Sequence, residues 1–301
     1  MQKISPFSME LDYVKLREIK PALSGYIRES QILLKRSDVP DEEAVHDIRV
    51  LMKKSRALLK LVAPQLNNGY NDRDIIALRE VGRIMCSRRE KSVHRKTLKE
   101  FKKKYPDIFS RLSENEQISL LLEKKDTISE VAEEVKGTIE KIEELLSKTS
   151  FRIRFQNMKI IDPQVLLKEL DSTYTRVVDI YLKCRNNPKS ESLHEFRKKA
   201  KDFLYQLYIF KPLNPSVIKT LEKKLDTLGN NLGKFHDLAQ LIEILGYKYN
   251  PDSNNPAMDE LIIKFREAQD GYLAKVWPSA YKVFCPGQKL VNVLGFKFLV
   301  I

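Results

Sequence analysis

Two segments of the sequence carry a histidine, an arginine and a lysine at the spacing i, i+3 and i+7. They are His46, Arg49 and Lys53 in one segment and His194, Arg197 and Lys201 in the other. Residues at this spacing lie on one face of an α-helix. A guanidinium grips phosphate oxygens through two hydrogen bonds, and an ammonium acts as a compact point charge. The predicted chemistry of each row is therefore anion binding.

Both rows continue beyond these three residues. The first ridge consists of His46, Arg49, Lys53, Arg56 and Lys60, and the second ridge of His194, Arg197, Lys201, Leu204 and Tyr208. Cations three or four residues apart on a helix repel one another and reduce its stability. Because this unfavourable row recurs in both halves of the chain, we infer that an anion normally offsets the repulsion.

The ridges belong to an internal repeat. His46 and His194, like Pro64 and Pro212, are separated by a constant offset of 148 residues. Apolar residues recur at the same offset of 148 residues, and most of them stand one position before a ridge residue. They are Val45, Ile48, Met52, Leu59 and Val62 in the first copy, and Leu193, Phe196, Ala200, Leu207 and Phe210 in the second. This spacing predicts that each ridge helix buries one stripe in a core beside its basic row.

A weaker match follows each ridge at an offset of 147 residues. Its apolar members are Leu78, Val81 and Met85, which correspond to Leu225, Leu228 and Leu232. In this register Arg89 corresponds to His236, and an acidic residue follows each of them. Arg83 and Lys234 are each basic in one half only, so we treat them as candidates for the surroundings of the binding site rather than for direct contact with the anion.

The periodicity of apolar residues predicts helices through most of the chain. In the first half the predicted helices cover residues 9–36, 42–64, 71–90, 94–104, 107–124 and 127–148. In the second half they cover residues 163–186, 190–211, 215–233, 236–248 and 256–273. Residues 151–155 alternate with period 2, which predicts a short strand paired with the apolar C-terminal tail.

Composition narrows the classes of function. The 301 residues carry a net charge of +13, which favours an anionic partner. With 10 Gly and 13 Pro, the chain is neither collagenous nor a turn-rich all-β protein. Cys86, Cys184 and Cys285 form no C-x-x-C pair, which predicts a reducing compartment and no structural zinc. No signal peptide or membrane span is predicted, so we expect a cytoplasmic protein with no membrane partner.

The duplicated segments resemble the CHAD family, the conserved histidine α-helical domain. The family's first signature, of the form V-H-D-x-R-V-x-x-R-R-x-R, is matched by residues 45–50 with Lys53, Lys54 and Arg56. Its second, of the form L-H-E-x-R-K-x-x-K-x-x-x-Y, is matched by residues 193–198 with Lys201 and Tyr205. A late L-G-x-x-H-D element is matched by residues 232–237, and the resemblance spans roughly residues 20–275.

The resemblance implies an all-α fold of two four-helix-bundle repeats, related by pseudo-twofold symmetry around a central basic groove. It places the repeats at residues 8–150 and 160–285, with residues 286–301 as a tail that could form a short strand. It also implies that the groove binds inorganic polyphosphate without catalysis, metal or cofactor. For the expected cytoplasmic protein, association with polyphosphate granules, phosphate sensing and regulation of another enzyme all stay open as biological roles. The implied binding residues are His46, Arg49, Lys53, Lys54, Arg56, Arg83, Arg89, His194, Arg197, Lys198, Lys201, Tyr205, Lys234 and His236.

The sequence departs from the family pattern at two places. Asp202 and Leu204 stand where the second ridge usually carries more basic residues, and residues 87–89 replace a small-residue turn in the first half. We therefore expect the first ridge to bind more strongly at its outer end.

Three other functions compete with polyphosphate binding. The pairs His46-Asp47 and His236-Asp237 fit a metal-dependent phosphohydrolase, but that chemistry needs several ligands converging on one metal, and the four histidines lie among positive charges. A nucleic-acid binder fits the net charge, but the ridges lack interleaved aromatic residues for base stacking, so we expect nucleic acid to bind only non-specifically. A pure interaction scaffold predicts no stabilisation by phosphate.

Overall fold

The fold is all-α, as predicted. A computed structural model describes residues 19–37, 39–66, 70–123, 131–158, 161–246 and 255–295, and in these ranges every regular element is a helix. The first half contains α1 (Ile19–Leu34), α2 (Glu42–Val62), α3 (Tyr70–Ile84), α4 (Cys86–Lys104), α5 (Pro106–Arg111), α6 (Glu116–Leu122) and α7 (Val131–Phe155). The second half contains α8 (Pro163–Asn186), α9 (Ser190–Phe210), α10 (Pro215–Ile244), α11 (Pro256–Phe284) and α12 (Leu290–Val293).

Polar caps set the start of α2, which carries the first ridge, and of α10, which follows the second ridge. The carboxylate of Asp41 accepts the N–H of Ala44 at 2.7 Å, and acidic residues follow in the first turn of α2. The side chain of Asn214 caps α10 in the same way, with proline as the first helical residue. Such caps satisfy N–H groups that have no partner inside the helix. The register of the first basic row is therefore fixed from the N-terminal end of α2, whereas α9 begins at Ser190 without a side-chain cap.

The helices pack as two groups that meet at the ridge helices. α1, α2, α3 and α7 pack together, as do α8, α9, α10 and α11, and α2 contacts α9. The predicted apolar stripes of α2 and α9 are buried in one core that continues through both groups. α4, α5 and α6 form a smaller core against α10 and α11.

The predicted strand at residues 151–155 is wrong, because these residues form the last turns of α7. Ile153 is buried and continues the apolar stripe from Leu146, seven residues earlier. Phe151 and Phe155 are exposed and their rings lie 4.7 Å apart, as i and i+4 neighbours on a helix. The alternation in the sequence was compatible with either structure. Of the predicted partner, residues 290–293 form α12, and residues 296–301 lie outside the described part.

Several predicted helix boundaries are also wrong, and the single helix expected over residues 107–124 is divided into α5 and α6. Residues 215–233 and 236–248 were expected as separate helices, but α10 runs without a break from Pro215 to Ile244. In the first half the break falls at Met85, between α3 and α4, rather than near residue 91. The last long helix continues to Phe284, through Pro278. The repeat boundaries at 8–150 and 160–285 stay predictions, and residues 8–18 lie outside the described part.

Candidate functional site

The two ridges share one surface because their helices pack together. At the junction, Gln206 of α9 donates from Nε2 to the carbonyl of Ala57 on α2, at 3.2 Å. Lys60 of the first ridge donates to Asp202 Oδ2 at 2.6 Å. We call this surface, with the basic side chains of α2 and α9 that border it, the seam.

One arginine of each ridge donates to the carbonyl of a glycine on the following helix. Arg49 Nη1 donates to the Gly82 carbonyl at 2.7 Å, and Arg197 Nε donates to the Gly229 carbonyl at 3.1 Å. The arginines are 148 residues apart and the glycines 147, which are the offsets of the sequence repeat. Because a guanidinium is a rigid fork of five N–H donors, one such bond orients the whole group. The same contact thus aims an arginine in both halves.

Two glycines of α10 allow the cations of the second ridge to lie close to the helix backbone. A Cβ atom at Gly229 would sit 2.7 Å from Lys201 Cε, and one at Gly233 would sit 3.1 Å from Arg197 Nη2. An alanine at Gly229 would therefore displace Lys201, whereas one at Gly233 would require the Arg197 side chain to move by a few tenths of an ångström. Sequence reasoning aligned this segment but missed the role of the glycines, although Gly82 and Gly229 match in the repeat register.

Two imidazoles of the second half stack on each other at the seam. The ring centroids of His194 on α9 and His236 on α10 lie 4.1 Å apart. Burial is the main cause that lowers the pKa of His194 to about 4, and nearby groups act in the same direction. These groups are His236, Lys198, Arg197 and Lys53. Because Lys53 belongs to α2, the first ridge reaches the histidine of the second.

Other ridge residues extend the row. His46 is exposed on α2, seven residues before Lys53 and hence on the same helix face. Lys54 lies between the halves, with its ammonium 5.6 Å from the ring centroid of Tyr26 and 5.8 Å from that of Tyr208. Cation–π contacts of this length are attractive. Tyr205 is half-buried beside the second ridge, and burial raises its pKa to about 12.

The second ridge is partly neutralised by carboxylates. Lys201 forms an ion pair with Asp226 at 2.8 Å, and Asp202 receives Lys60 from the first ridge. Leu204, which stands in the basic row by sequence, is buried in the core. The outer end of the second ridge therefore presents little positive charge.

The first half has an arginine where the second has one of these carboxylates. Arg79 on α3 corresponds to Asp226 at the offset of 147 residues. Burial lowers the pKa of Arg56, the carboxylate of Asp202 opposes this effect, and the charges of Arg79 and Arg49 add to it. The three arginines thus form one cationic cluster. Sequence reasoning missed Arg79, although the repeat register compares it directly with Asp226.

Several predicted binding residues lie away from this cluster. Arg83 is exposed and donates two hydrogen bonds to Glu80 of its own helix, at 2.8 and 2.7 Å. The ammonium of Lys234 lies 5.6 Å from the ring centroid of Tyr272, against α11 rather than α9. Lys198 is exposed on α9, near His194. Arg89 belongs to α4, but its side chain lies outside what the structure describes.

Neither a metal cluster nor a membrane span is present in the described ranges. No group of three or more His, Cys, Asp or Glu side chains among these residues could hold a metal ion. None of the helices in these ranges has both the length and the apolar character needed to cross a bilayer.

Comparison with known proteins agrees with the fold and the duplicated motifs. No curated protein matches the chain. The fold is similar to that in the crystal structure of the CHAD domain from the plant Ricinus communis, with a TM-score of 0.54 at 14% sequence identity, over 94% of this chain and 91% of that one. The sequence model of the CHAD domain matches residues 27–246, the segment that holds both ridges and the histidine pair. The chain therefore belongs to the CHAD domain family.

Proposed function

We propose that the protein binds inorganic polyphosphate along the seam and catalyses no reaction on it. The observation that carries the proposal is the pair of matched arginines, each oriented by a glycine carbonyl, on two helices that pack together. CHAD domains are associated with polyphosphate binding in general, which agrees with this assignment.

The chemistry of the seam suits a linear polyanion. A chain with one charge per phosphate, bound by several cations, releases its counterions, and this release favours binding. Arg49, Arg56 and Arg197 supply paired N–H donors for phosphate oxygens. Lys53 and Lys54 add mobile point charges beside them. The unequal charge of the two ridges leads us to expect tighter contact at the first-half end.

The surroundings of the histidine pair favour an anion over a metal cation. The charged groups near His194 that affect its pKa are Arg197, Lys198 and Lys53, all of which repel a cation. A metal-dependent phosphohydrolase would need carboxylates or further imidazoles converging there. Base stacking is also disfavoured, since Tyr208 donates its hydroxyl to Glu222 at 3.1 Å and carries the Lys54 ammonium on its ring face.

The combined change of Arg49→Ala and Arg197→Ala tests the proposal. We expect the affinity for long-chain polyphosphate, measured by calorimetry, to fall more than tenfold, because both oriented guanidinium groups are lost. The matched control is Arg154→Ala with Arg176→Ala, which removes two exposed arginines from α7 and α8. An unchanged affinity in the first double variant, or an equal loss in the control, would contradict the assignment.

Thermal melting supplies an independent check of the same proposal. A ligand that binds only the native state raises the melting temperature. Long-chain polyphosphate should therefore raise the melting temperature of the unmodified protein, and much less that of the double variant. A protein that melts at the same temperature with and without polyphosphate would favour the scaffold function instead.

A further inference from the structure

We propose that the exposed basic face of α4 is a second polyphosphate-binding surface, which extends the seam and engages long chains only. The inference rests on the proposed function of the seam. It concerns side chains that belong to neither ridge and that the duplicated motif does not contain.

The basic face of α4 is continuous and lies opposite a buried face. Its exposed members in the described part of the helix are Lys96, Lys99, Lys102 and Lys103. At 100° per residue these four positions fall within about 120° of the helix surface. The other side of α4 packs into the smaller core through Leu98 and Phe101. The helix is thus anchored by its apolar side and presents its lysines to solvent.

One acidic residue, the exposed Glu100, lies among these lysines, four residues after Lys96. Within the described part of the chain, none of the four forms an ion pair. This contrasts with the ridges, where Asp202 pairs with Lys60 of the first ridge and Asp226 pairs with Lys201 of the second. Like charges at this spacing repel and destabilise the helix. A polyanion along the face would relieve that repulsion.

The charge of α4 is specific to the first half. α4 contains nine arginines and lysines over residues 86–104, whereas the aligned residues 233–251 contain two lysines. On the core side, Leu98 of α4 corresponds to Leu245 at this offset, and both lie in the same smaller core. None of the four exposed lysines has a basic counterpart in the second half, so their accumulation on one face calls for a separate role.

The position of α4 connects this face to the seam. α4 starts immediately after the turn at Met85, three residues beyond the glycine whose carbonyl holds Arg49. It packs against α2 and α10, the helices that bear the first ridge and His236. The start of α4 therefore lies next to the part of α3 that contacts the first ridge, and Lys96 lies ten residues, about 15 Å, further along the helix. A polyphosphate chain bound at the seam must be long enough to span this distance to reach the face. From Lys96 to Lys103 the face adds about 10 Å of track at 1.5 Å per residue.

The test compares a short and a long polyphosphate on a variant of the α4 face. The variant carries Lys96→Gln, Lys99→Gln, Lys102→Gln and Lys103→Gln, all at exposed positions. The probes are tripolyphosphate, which is too short to leave the seam, and long-chain polyphosphate. We expect the affinity for tripolyphosphate to stay within twofold of the unmodified protein. The affinity for the long chain should fall at least tenfold, and its salt-dependence slope should become shallower by about 3.

A charge-matched control separates a local contact from the effect of net charge. It carries Lys168→Gln, Lys183→Gln, Lys282→Gln and Lys289→Gln, four exposed lysines outside α4 and the seam. The proposal is overturned if this control loses as much long-chain affinity as the α4 variant. It is also overturned if the α4 variant keeps full long-chain affinity, or loses short and long chains equally.

The same experiment keeps the two proposals apart. If the Arg49 and Arg197 variant loses both probes while the α4 variant loses neither, the seam function stands and the α4 extension is wrong. If neither probe binds the unmodified protein, the seam function fails. A parallel titration with single-stranded RNA tests the other polyanion. If the α4 variant loses affinity for RNA but not for long-chain polyphosphate, the face binds nucleic acid and the proposal is overturned.

Discussion

At the scale of single residues, His194 of the histidine pair makes the stability of the folded protein depend on pH. His194 is held neutral by burial and by the positive groups around it, with a pKa of about 4 compared with 6.5 for an unperturbed histidine. Between these two values the unfolded chain binds a proton that the folded chain does not. Stability therefore falls as the pH drops from about 7 towards 4. Phosphate oxygens at the site would favour the protonated form and so oppose this loss.

We expect the change His194→Gln to reduce this acid sensitivity, because glutamine does not titrate. The measurement is the melting temperature of the ligand-free protein from pH 7 to pH 4.5, for both proteins. The unmodified protein should lose more stability over this range, by on the order of 1 kcal/mol once the partial exposure of His194 is allowed for. Parallel curves would show that another group controls the response.

At the scale of elements, Gly229 of α10 affects both the stability of its own helix and the position of a cation at the seam. Gly229 lies in mid-helix, where glycine is about 1 kcal/mol less favourable than alanine. The atom that a Cβ would meet is Lys201 Cε, near the end of a flexible side chain. The lysine can therefore move, but it then loses its place at the seam and beside Asp226.

The change Gly229→Ala should consequently weaken polyphosphate binding several-fold while leaving the free energy of unfolding equal or slightly raised. Denaturant unfolding and calorimetry measure the two quantities separately. Gly25→Ala in α1 is the control, because a Cβ there meets nothing within 4 Å, and it should stabilise the helix without changing affinity. A loss of more than about 2 kcal/mol in Gly229→Ala would mean that the backbone cannot accept the new atom.

The sequence predicted the elements better than their ends. The ridge helices and both buried stripes follow from intervals of three and four, which tertiary packing reinforces. A break was expected between residues 233 and 236, but the apolar positions Leu228, Leu232 and Phe235 continue across it and keep α10 intact. At residues 151–155 a period of two fitted five residues, and the longer apolar stripe of α7 decided for helix. A pattern over five residues is too short to predict secondary structure where the packing of a longer helix determines it.

At the scale of the whole molecule, the net charge of +13 makes binding dependent on salt. The seam brings together six cations. They are Arg49, Lys53, Lys54, Arg56, Arg197 and Lys201. Neutralising about six phosphates predicts a slope of about −4 when the logarithm of the association constant is plotted against that of the salt concentration. Calorimetry over a salt series measures this slope, and an affinity that does not change with salt would contradict electrostatic binding.

The candidate site could be predicted in part. The repeat register identified the arginines and the histidines, because identical types recur at one offset. It could not show that Lys234 lies against α11, since that contact depends on how neighbouring helices pack. The pair of Arg83 with Glu80 is a contact within one helix, and the spacing of three residues could have indicated it. The repeat register also gave no sign that Gly233 leaves room for Arg197.

The junction at Gln206 and Ala57 also determines how the two helix groups can move relative to each other. A polyphosphate chain that contacts α2 and α9 at once would bridge this junction and oppose rotation of one helix group against the other. Amide protons along both helices should then exchange with solvent more slowly when the polyphosphate chain is in place.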